Sequence, residues 1–226
     1  MSDVTPIVFI VDGDTSVRAS LEVLLKGAGL RSAFFPSAHD FLAHHQTSAP
    51  CCLVLDVELP DLDGLELQAR VASERKEMPL VFIASCRDVR TTVRAMKAGA
   101  LEFLTKPFDG AELLSAVRHA IELSRSARAF EAGLRILRDR FDTLTSRERA
   151  VMALVVSGRL NKQVGAELGI SEITVKAHRG SAMRTMQADS LAQLVDMARR
   201  LGVPIIQRAG RSRYNHAGAH FAPPPG

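Results

Sequence analysis

Two aspartates and a lysine each follow a short apolar run of the sequence. Asp12 comes after IVFIV, Asp56 after CCLVL and Lys106 after EFLT. Two carboxylates suit a hard cation such as Mg²⁺, which binds one or two carboxylates together with phosphate oxygens and water. An aspartate can also attack a phosphoryl group while a lysine and the metal neutralise the developing charge. Singly, each residue could be only a helix cap or a loop residue, but together they indicate a site for phosphoryl chemistry.

The elements that must position these three groups are predicted from the first half of the chain. Its apolar runs cover residues 7–11, 33–35, 51–55, 80–84 and 102–105, and helical patterns lie between them. This alternation predicts an α/β fold with a parallel sheet covered on both faces. In a flavodoxin-like, doubly wound five-stranded sheet of order 2-1-3-4-5, ligands bind at the carboxyl ends of the strands. Asp12 and Asp56 would then share one acidic pocket, with Lys106 reaching in from the fifth strand.

Length and composition limit the class of protein. The chain has 226 residues, of which 46% are hydrophobic and 24% are charged, as expected for a globular protein of one large or two ordinary domains. No apolar run approaches the ~18 residues of a bilayer span, and the first run lacks the basic flank of a signal peptide. We therefore expect a cytoplasmic protein without a membrane partner. Cys51, Cys52 and Cys86 lack zinc-ligand spacing and are expected to be buried apolar side chains.

After about residue 140, only short helical patterns separated by tight turns remain. The segment TSRE, residues 145–148, has the spacing of a capping box, and Gly158 would end the helix that it begins. Further helices are predicted over residues 161–168, from Ser171 to about residue 187, and from Ser190 to the sequence RRLG. The middle two, joined by LGIS, form a helix-turn-helix pattern whose second helix can enter the major groove of DNA. We therefore predict a small all-α domain of four helices.

Basic residues outnumber acidic ones in this helical part of the chain. Lys176, Arg179, Gly180 and Arg184 are spaced to share one surface of its third helix, whereas Val175, Ala182 and Met186 can face inward. The sequence pI is about 9.2, and clustered positive charge is the electrostatic footprint of a phosphate-binding surface. A solvated basic face is the plainer interpretation of the charge. The succession of a capping box, a glycine-ended turn and a basic third helix favours DNA binding.

Several motifs of the first half resemble the receiver domain of two-component response regulators. The segments FIVDGD, LVLDVELPDLDGLEL and AMKAGALEFLTKPF occur in the order and at the strand ends typical of that family. The resemblance implies that Asp56 is the phospho-acceptor, that Lys106 pairs with the phosphoryl group and that Asp12 and Asp56 belong to a Mg²⁺ site. It also implies a cis peptide bond before Pro107, and it places Phe103 at the aromatic switch position of the fifth strand.

The sequence departs from the receiver pattern at two places. Receivers usually have consecutive acids after the first strand, and the second binds the metal directly; here Gly13 holds that place and Asp14 follows. Receivers also have Ser or Thr at the end of the fourth strand, where this chain has Ala84 followed by Ser85. A shift of one residue reverses side-chain direction along a strand. We therefore predict weak Mg²⁺ binding and slow or only partly regulatory phosphorylation; the alternative is that Asp14 bends into the pocket.

The helical part resembles the LuxR-type helix-turn-helix domain through the segments LTSRE, VVSG, LGIS and TVKAH. The resemblance places Lys176, Ala177 and Gly180 at base-facing positions. The residues expected near phosphates are Asn161, Lys162, Thr174 and Arg184, and Arg179 is a further DNA-binding candidate. Larger polar residues are common at the position of Gly180. A glycine there could let the backbone approach DNA closely, or it could merely cost the helix about 1 kcal/mol.

A receiver joined to a LuxR-type domain is similar to the NarL/FixJ class of response regulators, nearest its FixJ-like branch. The predicted parts are a receiver domain (1–124), a helical linker (125–142), a DNA-binding domain (143–208) and a disordered tail (209–226). The resemblance implies that a sensor histidine kinase phosphorylates Asp56, that the receiver rearranges over residues 92–104 and that it forms a homodimer. The implied function is sequence-specific transcription regulation, with activation favoured, and the implied partners include promoter DNA and RNA polymerase.

Two other interpretations stay open. In the first, the receiver is degenerate, and the chain is a transcription factor that senses a partner or ligand without phosphorylation. In the second, the Asp56 pocket belongs to a phosphotransferase or phosphatase that acts on small substrates. The sequence has neither a Gly-rich phosphate loop nor a second catalytic acid–base pair, so we do not expect an enzyme.

Overall fold

The structure is a computed structural model that describes residues 4–45, 47–85 and 88–204. The chain divides into two compact units, residues 1–133 and 134–226. The division lies within the predicted linker, and the predicted domain bounds remain predictions. Among the described residues, no helix combines the length and the apolar character that crossing a bilayer would require.

The described residues of the first unit form five strands and five helices. The strands are β1 (Ile7–Val11), β2 (Arg31–Phe35), β3 (Cys51–Asp56), β4 (Leu80–Ala84) and β5 (Glu102–Thr105). The helices are α1 (Thr15–Gly27), α2 (Ala38–Ala43), α3 (Gly64–Glu74), α4 (Val89–Lys97) and α5 (Gly110–Asp142). All strand pairs are parallel, and the strand order is β2-β1-β3-β4-β5. The predicted flavodoxin-like sheet is therefore confirmed.

The central strands are apolar along their whole length because both of their faces are covered. Successive side chains of a strand point to opposite faces, so Val8 and Ile10 of β1 pack in one core with Leu25. Phe9 and Val11 pack in the other core, which also contains residues of α2 and α3. Two-sided burial explains why the sequence shows continuous apolar runs rather than alternation.

One detail of the sequence interpretation is corrected. Asp56 is the last residue of β3 rather than the residue after it, and it pairs with Ile83 of β4. Residues 125–142, the predicted helical linker, belong to one continuous helix, α5. This segment lacks proline, and its alanine, arginine and glutamate residues favour helix. The cysteine prediction is confirmed for Cys51 and Cys52, which are buried and free; Cys86 and the predicted tail lie outside the described residues.

Helix α5 is attached to the amino-terminal edge of the sheet by a buried serine. The Oγ of Ser124 accepts a hydrogen bond from the main-chain nitrogen of Cys51 (3.1 Å) and donates one to the carbonyl oxygen of Glu77 (2.5 Å). Ser124 has no exposed surface. One turn further along, Arg128 donates to the carbonyl oxygen of Thr47. These contacts extend α5 along the sheet beyond residue 124.

After the end of α5, the second unit forms four helices over the residues that the structure describes. They are α6 (Ser146–Val156), α7 (Asn161–Leu168), α8 (Glu172–Met186) and α9 (Leu191–Arg200). The predicted capping box at Thr145 and Glu148 is present. Gly169 ends α7 in the left-handed conformation, with φ of 66°, where glycine carries no steric penalty. Val175, Ala182 and Met186 of α8 are fully buried, as their spacing predicted.

We expect Ser124→Ala to destabilise the first unit by about 1–3 kcal/mol, because the buried amide of Cys51 loses its hydrogen-bond acceptor. Ser126→Ala is the matched control, since Ser126 is exposed on the same helix and alanine is a better helix former. Urea unfolding of the full-length chain, followed by circular dichroism, measures the difference. Equal stability of the two variants would contradict this role of Ser124.

Candidate functional site

Asp12, Asp56 and Lys106 meet at the carboxyl edge of the sheet. The Nζ of Lys106 lies 2.7 Å from Oδ2 of Asp12 and 2.6 Å from Oδ2 of Asp56. Asp12 has no exposed surface and Asp56 is 6% exposed. The carboxyl ends of β1 and β3 are neighbours, and the lysine reaches them from the end of β5, as the strand order requires.

The lysine carries a positive charge that the buried carboxylates need. Burial by itself lowers the pKa of Lys106, but its hydrogen bonds to Asp12 and Asp56 and their negative charges raise that pKa above its ordinary value of 10.5. Lys106 is therefore protonated at neutral pH. With both aspartates ionised, two negative charges face one positive charge, so the cluster has a net negative charge that can attract a cation.

Two main-chain amides and one arginine, which the sequence interpretation missed, donate hydrogen bonds to Asp12 and Asp56. The amide of Asp14 donates to Oδ1 of Asp12 (2.7 Å), and the amide of Glu58 donates to Oδ1 of Asp56 (3.1 Å). The guanidinium of Arg18 donates to the carbonyl oxygen of Asp12. The two amide contacts are of the local kind that aspartate favours in turns, with the amide two residues after the carboxylate. No local sequence rule indicates the contact of Arg18.

Asp14 caps helix α1. Its Oδ1 accepts hydrogen bonds from the amide of Ser16 (2.7 Å), from the Ser16 hydroxyl (2.7 Å) and from the amide of Val17 (3.4 Å). The Ser16 hydroxyl, followed by the two amides, lowers the pKa of this exposed carboxyl. The structure thus gives Asp14 a structural task at the helix start, and its role as a metal ligand stays a prediction.

Gly13 leaves space beside the pocket. A Cβ atom built at this position would lie 3.4 Å from the Cδ of Pro60, which is an ordinary van der Waals contact. A side chain is therefore sterically acceptable there. Gly64 differs, because its Cβ would come within 2.7 Å of the carbonyl oxygen of Asp56. Close packing of the start of α3 against Asp56 thus depends on a glycine at position 64.

Asp12 and Asp56 are the carboxylates that this site offers to a metal ion. In the part of the chain that the structure describes, no group of three or more His, Cys, Asp or Glu residues could hold a metal ion. A pair of carboxylates with a net negative charge nevertheless fits Mg²⁺, which often binds protein through only one or two carboxylates. Asp12 and Asp56 are the residues that would hold it.

The candidate switch residues lie next to the pocket. Ala84 ends β4 and is buried, whereas Ser85 is exposed; the two residues after Ser85 lie outside the described part. Phe103 of β5 is half-buried, with its ring 6.0 Å from that of Phe82. It borders a cavity of about 350 Å³ between β5 and α4, also lined by Val89 and Val93. The peptide bond between Lys106 and Pro107 is cis, as expected.

A second candidate site is the exposed face of α8 in the second unit. Lys176, Ala177 and Arg184 are exposed on this helix. Lys176 also forms an ion pair with Glu172 one turn earlier, with 3.6 Å between Nζ and Oε1; this i,i+4 spacing was readable in the sequence. Gly180 is half-buried beneath the Nη1 atom of Arg184.

The start of α7 adjoins this face. Asn161 at the start of α7 and four residues of α8 (Lys176, Arg179, Gly180 and Met183) line a shallow groove. Lys162 is exposed beside Asn161, and the hydroxyl of Thr174 lies 2.8 Å from that of Ser171, the cap of α8. The structure thus brings the predicted DNA-binding residues of both helices onto neighbouring surfaces.

Glu148 connects α6 with α8, a contact that the sequence interpretation missed. A hydrogen bond from Ser181 is the largest of the effects that lower the pKa of Glu148, followed by those from Thr145. The same carboxylate therefore completes the capping box of α6 and holds α8. The capping-box motif predicted the first contact, but no pattern in the sequence pairs residue 148 with residue 181.

We expect Lys106→Met to destabilise the first unit by about 3 kcal/mol near neutral pH, because Asp12 and Asp56 would remain as unpaired buried charges. The folded-state pKa of Lys106 is raised above 10.5. Its contribution to the free energy of unfolding is therefore complete below pH 10.5 and is lost only as the pH rises through the folded-state pKa. Urea unfolding from about pH 6 to about pH 9 should therefore show a constant difference in the free energy of unfolding between the wild-type and Lys106→Met proteins. Lys76→Met, at an exposed lysine, is the control; an equally small loss for both would refute the structural role of Lys106.

Comparison with known families gives one match in each of the two units. A family described as the response regulator receiver domain matches residues 8–118. A family described as bacterial regulatory proteins of the luxR family matches residues 142–198. Receiver domains generally bind Mg²⁺ for phosphorylation, and regulators with such a DNA-binding domain have DNA and a sensor kinase as partners. A response regulator that carries such a DNA-binding domain is a transcription factor and not an enzyme.

Individual relatives extend the match over both units. Nodulation protein W of Bradyrhizobium diazoefficiens is 47% identical over 197 residues, which cover 87% of each chain. The transcriptional regulatory protein FixJ of the same organism is 36% identical over 87% of this chain and 96% of its own. Among solved structures, that of the response regulator StyR has a TM-score of 0.76 at 42% identity and covers 87% of this chain and 99% of its own. This chain therefore belongs to the NarL/FixJ class of DNA-binding two-component response regulators.

Proposed function

We propose that this chain regulates transcription under the control of phosphorylation at Asp56. The observation that supports the proposal is the ion-paired cluster of Asp12, Asp56 and Lys106 at the carboxyl edge of the sheet. Asp56 is nearly buried but keeps 6% of its surface exposed, so a phosphoryl donor could reach this residue. A cytoplasmic location, where a bacterial chromosome can be reached, accords with this function.

In the proposed reaction, an oxygen of Asp56 forms a bond to phosphorus while the bond between phosphorus and the kinase histidine breaks. The electron pair of that bond returns to the imidazole nitrogen. Asp56 becomes an acyl phosphate, and the ammonium group of Lys106 pairs with a phosphoryl oxygen. Asp12 and Asp56 would hold Mg²⁺, which supplies further neutralisation of the phosphoryl charge when bound.

Phosphorylation would then act through α4 and β5. Phe103 is half-buried beside a cavity next to α4, so its ring has space to move. Rearrangement of residues 92–104 would favour a receiver homodimer. A phosphoryl group can shift this balance only by binding better to one of the two forms. Ala84 has no hydroxyl to bind the phosphoryl group, which supports a weakened coupling unless Ser85 supplies one.

The second unit would bind promoter DNA through α7 and α8. Lys176, Ala177 and Gly180 would face the bases, with Arg179 beside them. The remaining contacts, near phosphates, would come from Asn161, Lys162, Thr174 and Arg184. A dimer would place two copies of α8 about one DNA turn apart, ~34 Å. The relative named a transcriptional regulatory protein supports a role in transcription; we propose activation, with RNA polymerase as a further partner.

Gly13 and Asp14 favour a second candidate function. In this alternative, the chain is a transcription factor whose receiver works without phosphorylation. Position 13 offers no carboxylate, and the Asp14 carboxylate already caps α1. A receiver with weak metal binding would respond poorly to a kinase and could instead transmit the binding of a partner protein. The two candidates differ in whether Asp56 is modified.

Incubation of the full-length protein with acetyl phosphate and Mg²⁺ tests the main proposal. We expect the mass of one added phosphoryl group on the wild-type chain, but not on Asp56→Asn, in intact-protein mass spectrometry. We also expect tighter binding to a duplex selected from a random DNA pool, because phosphorylation should promote dimerisation. A wild-type chain with neither the added mass nor a changed DNA affinity would favour the phosphorylation-independent candidate.

A second measurement concerns the missing acid at position 13. We expect Gly13→Asp to bind Mg²⁺ about tenfold more tightly than the wild-type chain, because it adds a carboxylate beside the pocket. Gly13→Asn, of similar size but without the charge, is the control. Calorimetric titration of all three proteins measures the affinities. Equal affinities of the wild-type and Asp proteins would show that Gly13 does not limit metal binding.

A further inference from the structure

The solvent-facing side of α8 carries an apolar row that runs between basic residues. Ile173, Ala177 and Gly180 are spaced by four and three residues and therefore lie along one side of the helix. Ile173 is 80% exposed, whereas Val175, almost opposite on the helix, is fully buried. We call the three residues the apolar row. A large aliphatic side chain exposed to this degree at a helix start gains nothing from the core of its own domain.

The stability of the free domain does not explain the glycine at position 180 either. A Cβ atom at position 180 would meet only the Nη1 of Arg184 within 4 Å, at 3.6 Å, and the φ of Gly180 is not positive. Alanine would therefore fit. It would also favour the helix by about 1 kcal/mol. The row has a bulky side chain at Ile173 and no side chain at Gly180. This difference indicates that α8 contacts the surface of another molecule.

The charges beside the row identify that surface as DNA rather than protein or lipid tails. Lys176 and Arg184 are exposed next to the row, and Arg179 and Asn161 line the adjoining groove. In a helix-turn-helix domain, residues of the first turn of the recognition helix reach base edges, and Ile173 is the second residue of α8. The apolar feature that the major groove offers is the C5-methyl group of thymine.

We propose that Ile173 is a specificity-determining residue that contacts the methyl group of a thymine, while Ala177 and Gly180 let the helix approach the base edges closely. The proposal rests on the proposed function of α8 as the DNA-reading helix. Lys176 supplies charge and hydrogen bonds at the side of the row, held in place by Glu172. Ile173 adds a preference that neither charge nor hydrogen bonding can provide.

The test uses the full-length protein and a duplex that it selects from a random DNA pool. Each thymine of the duplex is replaced in turn by deoxyuridine, which removes the methyl group and keeps every hydrogen-bonding atom. We expect one thymine per half-site at which the replacement weakens binding about fourfold, the value for one buried carbon group. The Ile173→Ala protein should bind the thymine and deoxyuridine duplexes equally at that position.

Val23→Ala is the matched control, because Val23 is 75% exposed on α1 of the other unit; this variant should keep the fourfold difference. If no thymine is sensitive to the replacement, or if Ile173→Ala keeps the sensitivity, the role of Ile173 is overturned while DNA binding stands. If the wild-type protein selects no sequence at all from the pool, the proposed function of α8 and the role of Ile173 are both refuted.

Discussion

The receiver pocket depends on one lysine held between two buried carboxylates. Burying a charge without a partner costs several kcal/mol, and Lys106 offsets this cost by pairing with both Asp12 and Asp56 at the ends of adjacent strands. The same arrangement leaves a net negative charge, which suits a cation, and an exposed edge of Asp56, which suits a phosphoryl donor. Stability and the proposed chemistry therefore use the same three side chains.

This constraint explains which departures from the family pattern the fold tolerates. Position 13 is open enough for a side chain but holds none, and Ala84 fills the end of β4 without a hydroxyl. Neither residue takes part in the central ion pairs, so both can vary without unfolding the pocket. Under the proposed function, these two positions would instead affect Mg²⁺ binding and the link from Asp56 to Phe103, which is where a weakened response to phosphorylation would arise.

Much of the fold was predictable because its signals are local or periodic. Continuous apolar runs predicted buried parallel strands, and the capping box at Thr145 and Glu148 predicted the start of α6. The contacts of the predicted helical linker could not be predicted, because Arg128 of α5 donates to the carbonyl oxygen of Thr47, a residue far away in the sequence. Arg18 and the Glu148–Ser181 contact were missed because they join residues that no periodic pattern relates.

The sequence by itself determined the order of elements, the identities of the three charged groups and the basic character of α8, since these follow from residue type and spacing. Only the structure decided that the Asp14 carboxylate bonds to the start of α1 and that Ile173 is 80% exposed. It also decided that a side chain fits at positions 13 and 180 but not at 64. The reason is physical: side-chain direction and free space depend on how loops and helices pack, and packing brings together atoms that are distant in the chain.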